Sequence, residues 1–270
     1  MLLDKDTQLC ISLSGRPSNI GTRFHNYLYD ELDLNYVYKA FTTSDLAAAV
    51  SGIRGLGVRG CGVSMPFKER IIELVDVMHD SASAIDSVNT VVNEDGVLHA
   101  YNTDYEAVAQ LLRENSLPTS LSVAVAGSGG MAKAVVAAVR DHGFQDVVVV
   151  ARNSGSGNAL ADRYEFSWTS DLGERTPGLL VNATPIGMAG RAESADLPFS
   201  DSTVAAAQAV FDVVAMPPDT PLVRAATEQG KTVITGAQVI ALQAAEQFAL
   251  YTGVRPSPDQ ITRASEFSRS

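Results

Sequence analysis

The sequence predicts an α/β protein in two parts, the second built on a doubly wound parallel sheet. Three observations lead there. Between about residues 7 and 115, short apolar runs alternate with amphipathic stretches, the pattern of strands and helices in layers. From Leu121 onward, β-branched runs recur with the look of fully buried parallel strands, and the first of them ends in a glycine-rich turn. Beyond the last of those runs, GAQVIALQAAEQFALYTG carries apolar residues at helical spacing, as expected of a helix that returns to the first part. A length of 270 residues suits about two domains. The boundaries are placed at 1–104, completed by the C-terminal helices of 237–270, and at 105–236.

In chain order, strands are expected at Gln8 to Leu13, Tyr36 to Phe41 and Gly60 to Val63, with helices at Arg23 to Glu31, Ser44 to Gly52 and Pro66 to Met78. VNTVVN and VLHAYN alternate around Glu94-Asp95-Gly96, which predicts a hairpin. Thr103-x-x-Glu106, ahead of the apolar pattern of the next helix, fits a capping box. In the second part LSVAVA runs through Gly127-Ser128-Gly129-Gly130 into the helical MAKAVVAAVRDHG, and DVVVVA, GLLVNA and AVFDVVA supply three further strands. No repeat or low-complexity tract is present.

Composition excludes several classes of function. An apolar fraction of 46% with 19% charged residues describes a folded soluble chain. A net charge of −11 without a basic stripe argues against a nucleic-acid partner. Cys10 and Cys61 sit in apolar runs with no second cysteine at ligand spacing, and the four histidines are scattered, so no metal site is expected. MLLDKDTQLC lacks a basic segment followed by an apolar one, and no apolar run reaches the ~18 residues of a membrane span. A cytoplasmic protein without a membrane partner is expected.

Gly127-x-Gly129-x-x-Ala132 follows a predicted strand and opens a helix, the context that a Rossmann dinucleotide motif requires. The first glycine permits the bend, the second lets backbone N–H groups reach a pyrophosphate, and the small third residue lets helix and strand pack closely. Glycines that merely punctuate a turn give the same bare pattern, but here it heads a run of four strand candidates. No GKS/T follows, which disfavours a P-loop. The second strand ends Ala151-Arg152-Asn153, with no acid for a ribose 2′-OH, and Arg152 offers donors to a 2′-phosphate. NADP is therefore preferred as cofactor, with NAD as the alternative.

In the first part, Ser64-Met65-Pro66-Phe67-Lys68-Glu69 puts proline at the start of a predicted helix and Lys68 in its first turn, where a cation opposes the helix dipole. On a surface this means little. In a closed cleft it helps a lysine trade protons with an alcohol. Asn89, Asn102 and Asp104 are short polar groups at strand ends, of a kind that suits a polyhydroxylated ligand.

Together, VSMPFKE at 63–69, SVNT at 87–90, YNTD at 101–104, GSGGMAKA at 127–134, NATPIGM at 182–188 and GAQVIALQAAEQF at 236–248 resemble the shikimate/quinate dehydrogenase family. SLSGRPSN and FHNYLY look most like its shikimate dehydrogenase-like branch. The resemblance implies an N-terminal substrate domain, a Rossmann domain and a returning C-terminal helix. It implies an oxidoreductase of aromatic amino acid biosynthesis, acting on a hydroxylated ring acid such as shikimate or quinate, in a monomer or homodimer. Lys68 would accept the hydroxyl proton while Asp104 positions lysine and substrate. Asn89 and Gln243 would bind substrate hydroxyls. Gly127, Ser128, Gly129, Gly130, Met131 and Ala132 would form the phosphate loop, with Arg152 and Asn153 beyond the second strand. Thr184, Met188, Val213 and Gly236 fall on segments expected around the nicotinamide.

The departures concern the substrate. Where the family carries Ser-x-Ser-Pro for the ring carboxylate, this chain reads Asn19-Ile20-Gly21-Thr22, so Ser12, Ser14, Ser18 or Thr22 would have to substitute. Gly62-Val63-Ser64 stands for Asn-Val-Thr and loses an amide. The family's second NADP arginine is missing. Weak shikimate activity is expected, and a dinucleotide-binding sensor or scaffold with little turnover is the alternative.

Overall fold

The first strand is apolar at successive positions because it has a core on each face of its sheet. Cys10 faces Phe24, Leu28, Tyr38, Phe248 and Tyr251, whereas Ile11 and Leu13 face Leu46, Val50, Ile53 and Val63. This computed structural model describes residues 3–270; Met1 and Leu2, at the head of the stretch read for a leader, lie outside the described residues. The chain divides into two compact units, one of residues up to Thr103 with Ala241–Ser270, the other of Asp104–Ile240. Among the described residues, no helix is long and apolar enough to cross a membrane.

The first unit contains β1 (Gln8–Leu13), α1 (Asn19–Glu31), β2 (Tyr36–Phe41), α2 (Leu46–Gly55), β3 (Gly60–Val63), β4 (Val77–Met78), α3 (Asp80–Ser83), β5 (Thr90–Glu94) and β6 (Val97–Tyr101). The sheet runs β2-β1-β3-β5-β6-β4. β1, β2 and β3 are parallel, whereas β5 is antiparallel to both β3 and β6. Asp95 and Gly96, at φ of 51° and 90°, make the two-residue turn of the expected hairpin. The Asp45 carboxylate caps α2 by accepting from the Ala48 N–H at 3.0 Å.

The second unit follows with α4 (Thr103–Glu114), β7 (Val123–Ala126), α5 (Gly130–His142), β8 (Val147–Val150), α6 (Ser154–Arg163), β9 (Ser167–Thr169), β10 (Leu179–Asn182), α7 (Asp201–Ala206), β11 (Ala209–Asp212), α8 (Pro221–Glu228) and β12 (Thr232–Thr235). Its sheet, β12-β11-β10-β7-β8-β9, is parallel throughout, the Rossmann-type arrangement expected. α9 (Gly236–Thr252) and α10 (Pro258–Arg269) end the chain, and Ala244, Ala245, Phe248 and Tyr251 of α9 enter the core of the first unit.

Two local expectations fail. Pro66 to Met78 is not an α-helix but a series of turns, a 3₁₀ turn at Ile72–Leu74, and β4. The Met65 carbonyl accepts from the Gly15 N–H and the Lys68 carbonyl from the Val88 N–H, each at 2.9 Å, so long-range partners take the acceptors a helical ladder would need. No helix dipole therefore acts on Lys68. Thr103 does not precede the helix as expected of a cap: it is already inside α4, and its hydroxyl is engaged by Asn89 and Gln243.

Candidate active site

In the first unit the switch in strand order falls between β1 and β3, and ligands of open α/β sheets bind beyond the C-terminal strand ends at such a point. Ser14 and Ser64 stand directly after those two strands. The Ser64 N–H donates to the Leu13 carbonyl and the Gly15 N–H to the Met65 carbonyl, both at 2.9 Å, which ties the two segments together. Thr22 lies in the first turn of α1, and half-buried Lys68 lies in the turn after Ser64. Asp104 opens the second unit at the start of α4 and is buried.

Asn89, just before β5, is 3% exposed and densely bonded. Its Oδ1 accepts from the Thr103 N–H at 2.7 Å and from the Thr90 hydroxyl at 2.8 Å, while its Nδ2 donates to the Thr103 Oγ1 at 3.0 Å. The Thr103 hydroxyl faces the Gln243 Oε1 at 3.4 Å. The structure thus joins Asn89 and Gln243 in one cluster. Gln247, not singled out by the sequence, belongs to it: its Nε2 donates to the Asn89 carbonyl at 3.1 Å and to the Thr90 Oγ1 at 2.9 Å. The signal was there, because Gln247 follows Gln243 by one helical turn.

Position 62 is occupied in an unexpected way. A Cβ on Gly62 would lie 2.8 Å from the Tyr38 hydroxyl, which reaches across from β2. The volume of the absent side chain is filled by a phenol from two strands away.

In the second unit the switch lies between β7 and β10. Gly127 ends β7 with φ of 119°, and a Cβ there would be 2.8 Å from the Ala183 carbonyl oxygen beyond β10. Only glycine fits. A Cβ on Gly129 would meet nothing within 4 Å, so the space over the loop is open. Gly129 is the N-cap of α5 and supplies no side-chain cap, so the amides of the first turn, Gly130, Met131 and Ala132, would suit an anion, with the helix dipole behind them. Ala132 is fully buried against the sheet. These residues fit a dinucleotide pyrophosphate.

Around this loop, the Ser128 and Ser156 hydroxyls are 2.8 Å apart. Asn153 caps α6 by accepting from the Ser156 N–H at 3.1 Å, which leaves its amide nitrogen as what it can offer a ligand. The Arg152 side chain, 81% exposed, has Nη1 3.2 Å from a Glu193 carboxylate oxygen.

Thr184, Met188, Val213 and Gly236 lie on segments tied together at the strand ends by hydrogen bonds and close packing. The Thr184 hydroxyl donates to the Asn182 Oδ1 at 2.6 Å, the Val213 N–H to the Asn182 carbonyl at 3.0 Å, and the Ala189 N–H, next to Met188, to the Met216 carbonyl at 2.9 Å. A Cβ on Gly236 would be 2.4 Å from the Val213 oxygen, so the start of α9 lies against that turn. Holding the edge is a buried network that sequence reading missed. The Asn182 Nδ2 donates to the Asp212 Oδ1 at 3.0 Å, and the Thr220 hydroxyl to the Asp212 Oδ2 at 2.5 Å. Burial raises the Asp212 carboxyl above its ordinary range, against the pull of these donors.

Comparison with known proteins agrees with this geometry. Residues 19–91 match the family profile described as the shikimate dehydrogenase substrate binding domain. A shikimate dehydrogenase-like protein of Haemophilus influenzae is 53% identical over 269 residues, covering 100% of this chain and 99% of the relative. A solved shikimate 5-dehydrogenase-like protein superposes with a TM-score of 0.97 at 53% identity, covering 100% of both chains. The Thermus thermophilus shikimate 5-dehydrogenase in complex with NADP(H) and shikimate gives 0.87 at 27% identity, covering 97% of this chain and 99% of that one. The Corynebacterium glutamicum quinate dehydrogenase in complex with NAD gives 0.87 at 26%, covering 96% and 97%. By its fold, its strand-end motifs and its identity to these relatives, the chain belongs to the shikimate dehydrogenase family.

Proposed function

We propose that this protein is an NADP-dependent oxidoreductase that transfers hydride between the cofactor and a ring hydroxyl of shikimate or a related polyhydroxylated ring acid such as quinate. The observation that carries the reading is the placement of its polar motifs at the switch point of each sheet, Ser14 and Ser64 in one and Gly127 and Thr184 in the other. The substrate is assigned to residues 1–104 with 237–270, and the dinucleotide to 105–236. When bound, the nicotinamide supplies the hydride acceptor. Lys68 takes the hydroxyl proton as the alcohol becomes a ketone, and Asp104 orients lysine and substrate. Asn89 and Gln243 hold ring oxygens, and Ser14, Thr22 and Ser64 line the carboxylate side. Arg152 meets the 2′-phosphate of NADP by exchanging its Glu193 partner. Such an enzyme works in the cytoplasm on a dissolved ring acid, as monomer or homodimer.

Turnover of shikimate is expected to be weak. Each missing hydrogen bond to a carboxylate forfeits roughly 1.5–3 kcal/mol, so two lost donors lower catalytic efficiency by about two to four orders of magnitude. The test follows the absorbance of reduced cofactor with shikimate and quinate, for wild type and for Gly21→Ser. A Cβ at Gly21 would clear Tyr38 by 3.7 Å, so the hydroxyl can be restored without a clash. Efficiency equal to that of an ordinary biosynthetic shikimate dehydrogenase defeats the weak-activity reading. Calorimetric binding of dinucleotide with no turnover on a panel of ring acids favours a sensor or scaffold instead.

A further inference from the structure

We propose that Asp212 sets the redox preference of the bound cofactor: a buried carboxylate with no cation paired to it, it favours the oxidised, positively charged nicotinamide over the reduced, neutral one. The inference rests on the assignment of the nicotinamide to the segments of Thr184, Met188, Val213 and Gly236. Asp212 ends β11, the strand beside β10, and is fully buried together with Asn182 and Thr220. Three groups donate to its carboxylate. The Asn182 Nδ2 and the Val214 N–H each reach Oδ1 at 3.0 Å, and the Thr220 hydroxyl reaches Oδ2 at 2.5 Å. The Asn182 amide is oriented from its other side, because its Oδ1 accepts from the Thr184 N–H at 3.1 Å, a group that can only donate.

These donors are dipoles, not charges. An amide, a backbone N–H and a hydroxyl that caps α8 surround the carboxylate, and the helix start behind Thr220 adds only a partial positive charge. Among the described residues no lysine, arginine or histidine pairs with Asp212, and no group of three or more histidine, cysteine or acidic side chains could hold a metal. A set of donors favours the ionised form, and buried carboxylates ordinarily have an ionic partner or a metal. Here the negative charge is left uncompensated, in an apolar setting of Phe211 and Val214 where its field is screened less than in water. The same bonds bring that charge to the assigned nicotinamide walls. Val213 is the next residue, Thr184 is joined through Asn182, and the start of α9 at Gly236 lies against the Val213 carbonyl. Oxidised and reduced dinucleotide differ in charge only at the nicotinamide ring, so a fixed anion near that ring separates their affinities.

The test measures Kd for NADP⁺ and for NADPH by calorimetry, with Tm, in wild type, Asp212→Asn, Asp212→Ser and Thr220→Val. Asparagine has the shape of aspartate: its oxygen keeps the Asn182 and Val214 donors, and its NH₂ can donate to the Thr220 oxygen, so the loops stay in place. The ratio of the NADP⁺ Kd to the NADPH Kd is expected to rise about fivefold in both neutral variants, whatever their Tm, because the ratio follows the charge. Thr220→Val removes one bond and keeps the charge, so its two affinities are expected to change alike and the ratio to stay at the wild-type value. Equal weakening of both forms in the neutral variants overturns the inference, because Asp212 would then only hold the loops. A ratio that moves as far in Thr220→Val as in the variant of Asp212 that folds also overturns it. Wild type binding both forms with no change of ratio in any variant defeats the inference alone, and wild type binding neither form defeats the dinucleotide assignment with it.

Discussion

Lys68 is held by its own backbone, because the carbonyl it would give to a helix is given to Val88 instead. That keeps Lys68 out of a helical turn. Lys68→Ala is expected to lower turnover by about 10²–10⁴-fold with dinucleotide affinity unchanged, measured by steady-state rates beside calorimetry. A parallel loss of cofactor binding would remove the lysine from the proton-transfer role. Arg152 is highly exposed and its pairing with Glu193 contributes little stability. Arg152→Ala should therefore leave Tm unchanged and weaken NADP far more than NAD. His25 is the reverse case, fully buried, with neither ring nitrogen hydrogen-bonded, and stacked on Tyr38 with ring centroids 4.4 Å apart. Burial lowers its pKa from 6.5 to about 3. The folded pKa lies below the unfolded one, so stability is fully present above pH 6.5 and is lost as the pH falls towards 3, at about 1.4 kcal/mol per unit. Denaturant melts should show about 2 kcal/mol less stability at pH 5 than at pH 7.5, a difference that His25→Phe abolishes.

Elements meet closely where β3 passes under Tyr38. β3 is buried along its whole length, and at Gly62 the phenol takes the room a side chain would need. Gly62→Asn is therefore expected to cost roughly 1–3 kcal/mol as an overpacked core substitution, and to give no gain in turnover on its own. Combined with Tyr38→Phe, which removes the hydroxyl that the new Cβ would meet and keeps the ring in the core, part of that cost should be recovered in chemical denaturation. A Gly62→Asn variant as stable as wild type would mean that Tyr38 moves aside freely.

The whole molecule depends on its last thirty residues, which complete a unit begun at the other end of the sequence. Phe248 and Tyr251 of α9 are fully buried among Cys10, Phe24, Leu28 and Tyr29. Burial of each such side chain contributes about 1.5–3 kcal/mol, against a domain stability of roughly 5–15 kcal/mol. A chain ended at Ile240 should lose the first unit while Asp104–Ile240 keeps its parallel sheet. Limited proteolysis is expected to cut before residue 104 and spare the remainder; uniform resistance would show that α9 and α10 are dispensable.

What the sequence determined by itself was whatever is encoded within a few residues. Alternating or β-branched runs define β1, β2, β3 and the inner strands of the second sheet, since each carries the signature of its own burial. The glycine loop was legible for the same reason: a strand, a bend at positive φ and a helix start are all local. The short edge strands β9 and β12 were not, because a half-exposed strand of three or four residues has too little pattern to stand out. Tertiary structure alone decided the segment around Pro66, where the Met65 and Lys68 carbonyls are claimed by Gly15 and Val88. It alone placed Tyr38 over Gly62, Asp212 between Asn182 and Thr220, and Gln247 beneath Asn89. In each case the partner is distant in sequence. A buried polar group must be satisfied by whatever the fold brings within reach, and nothing in the local sequence says which group that is.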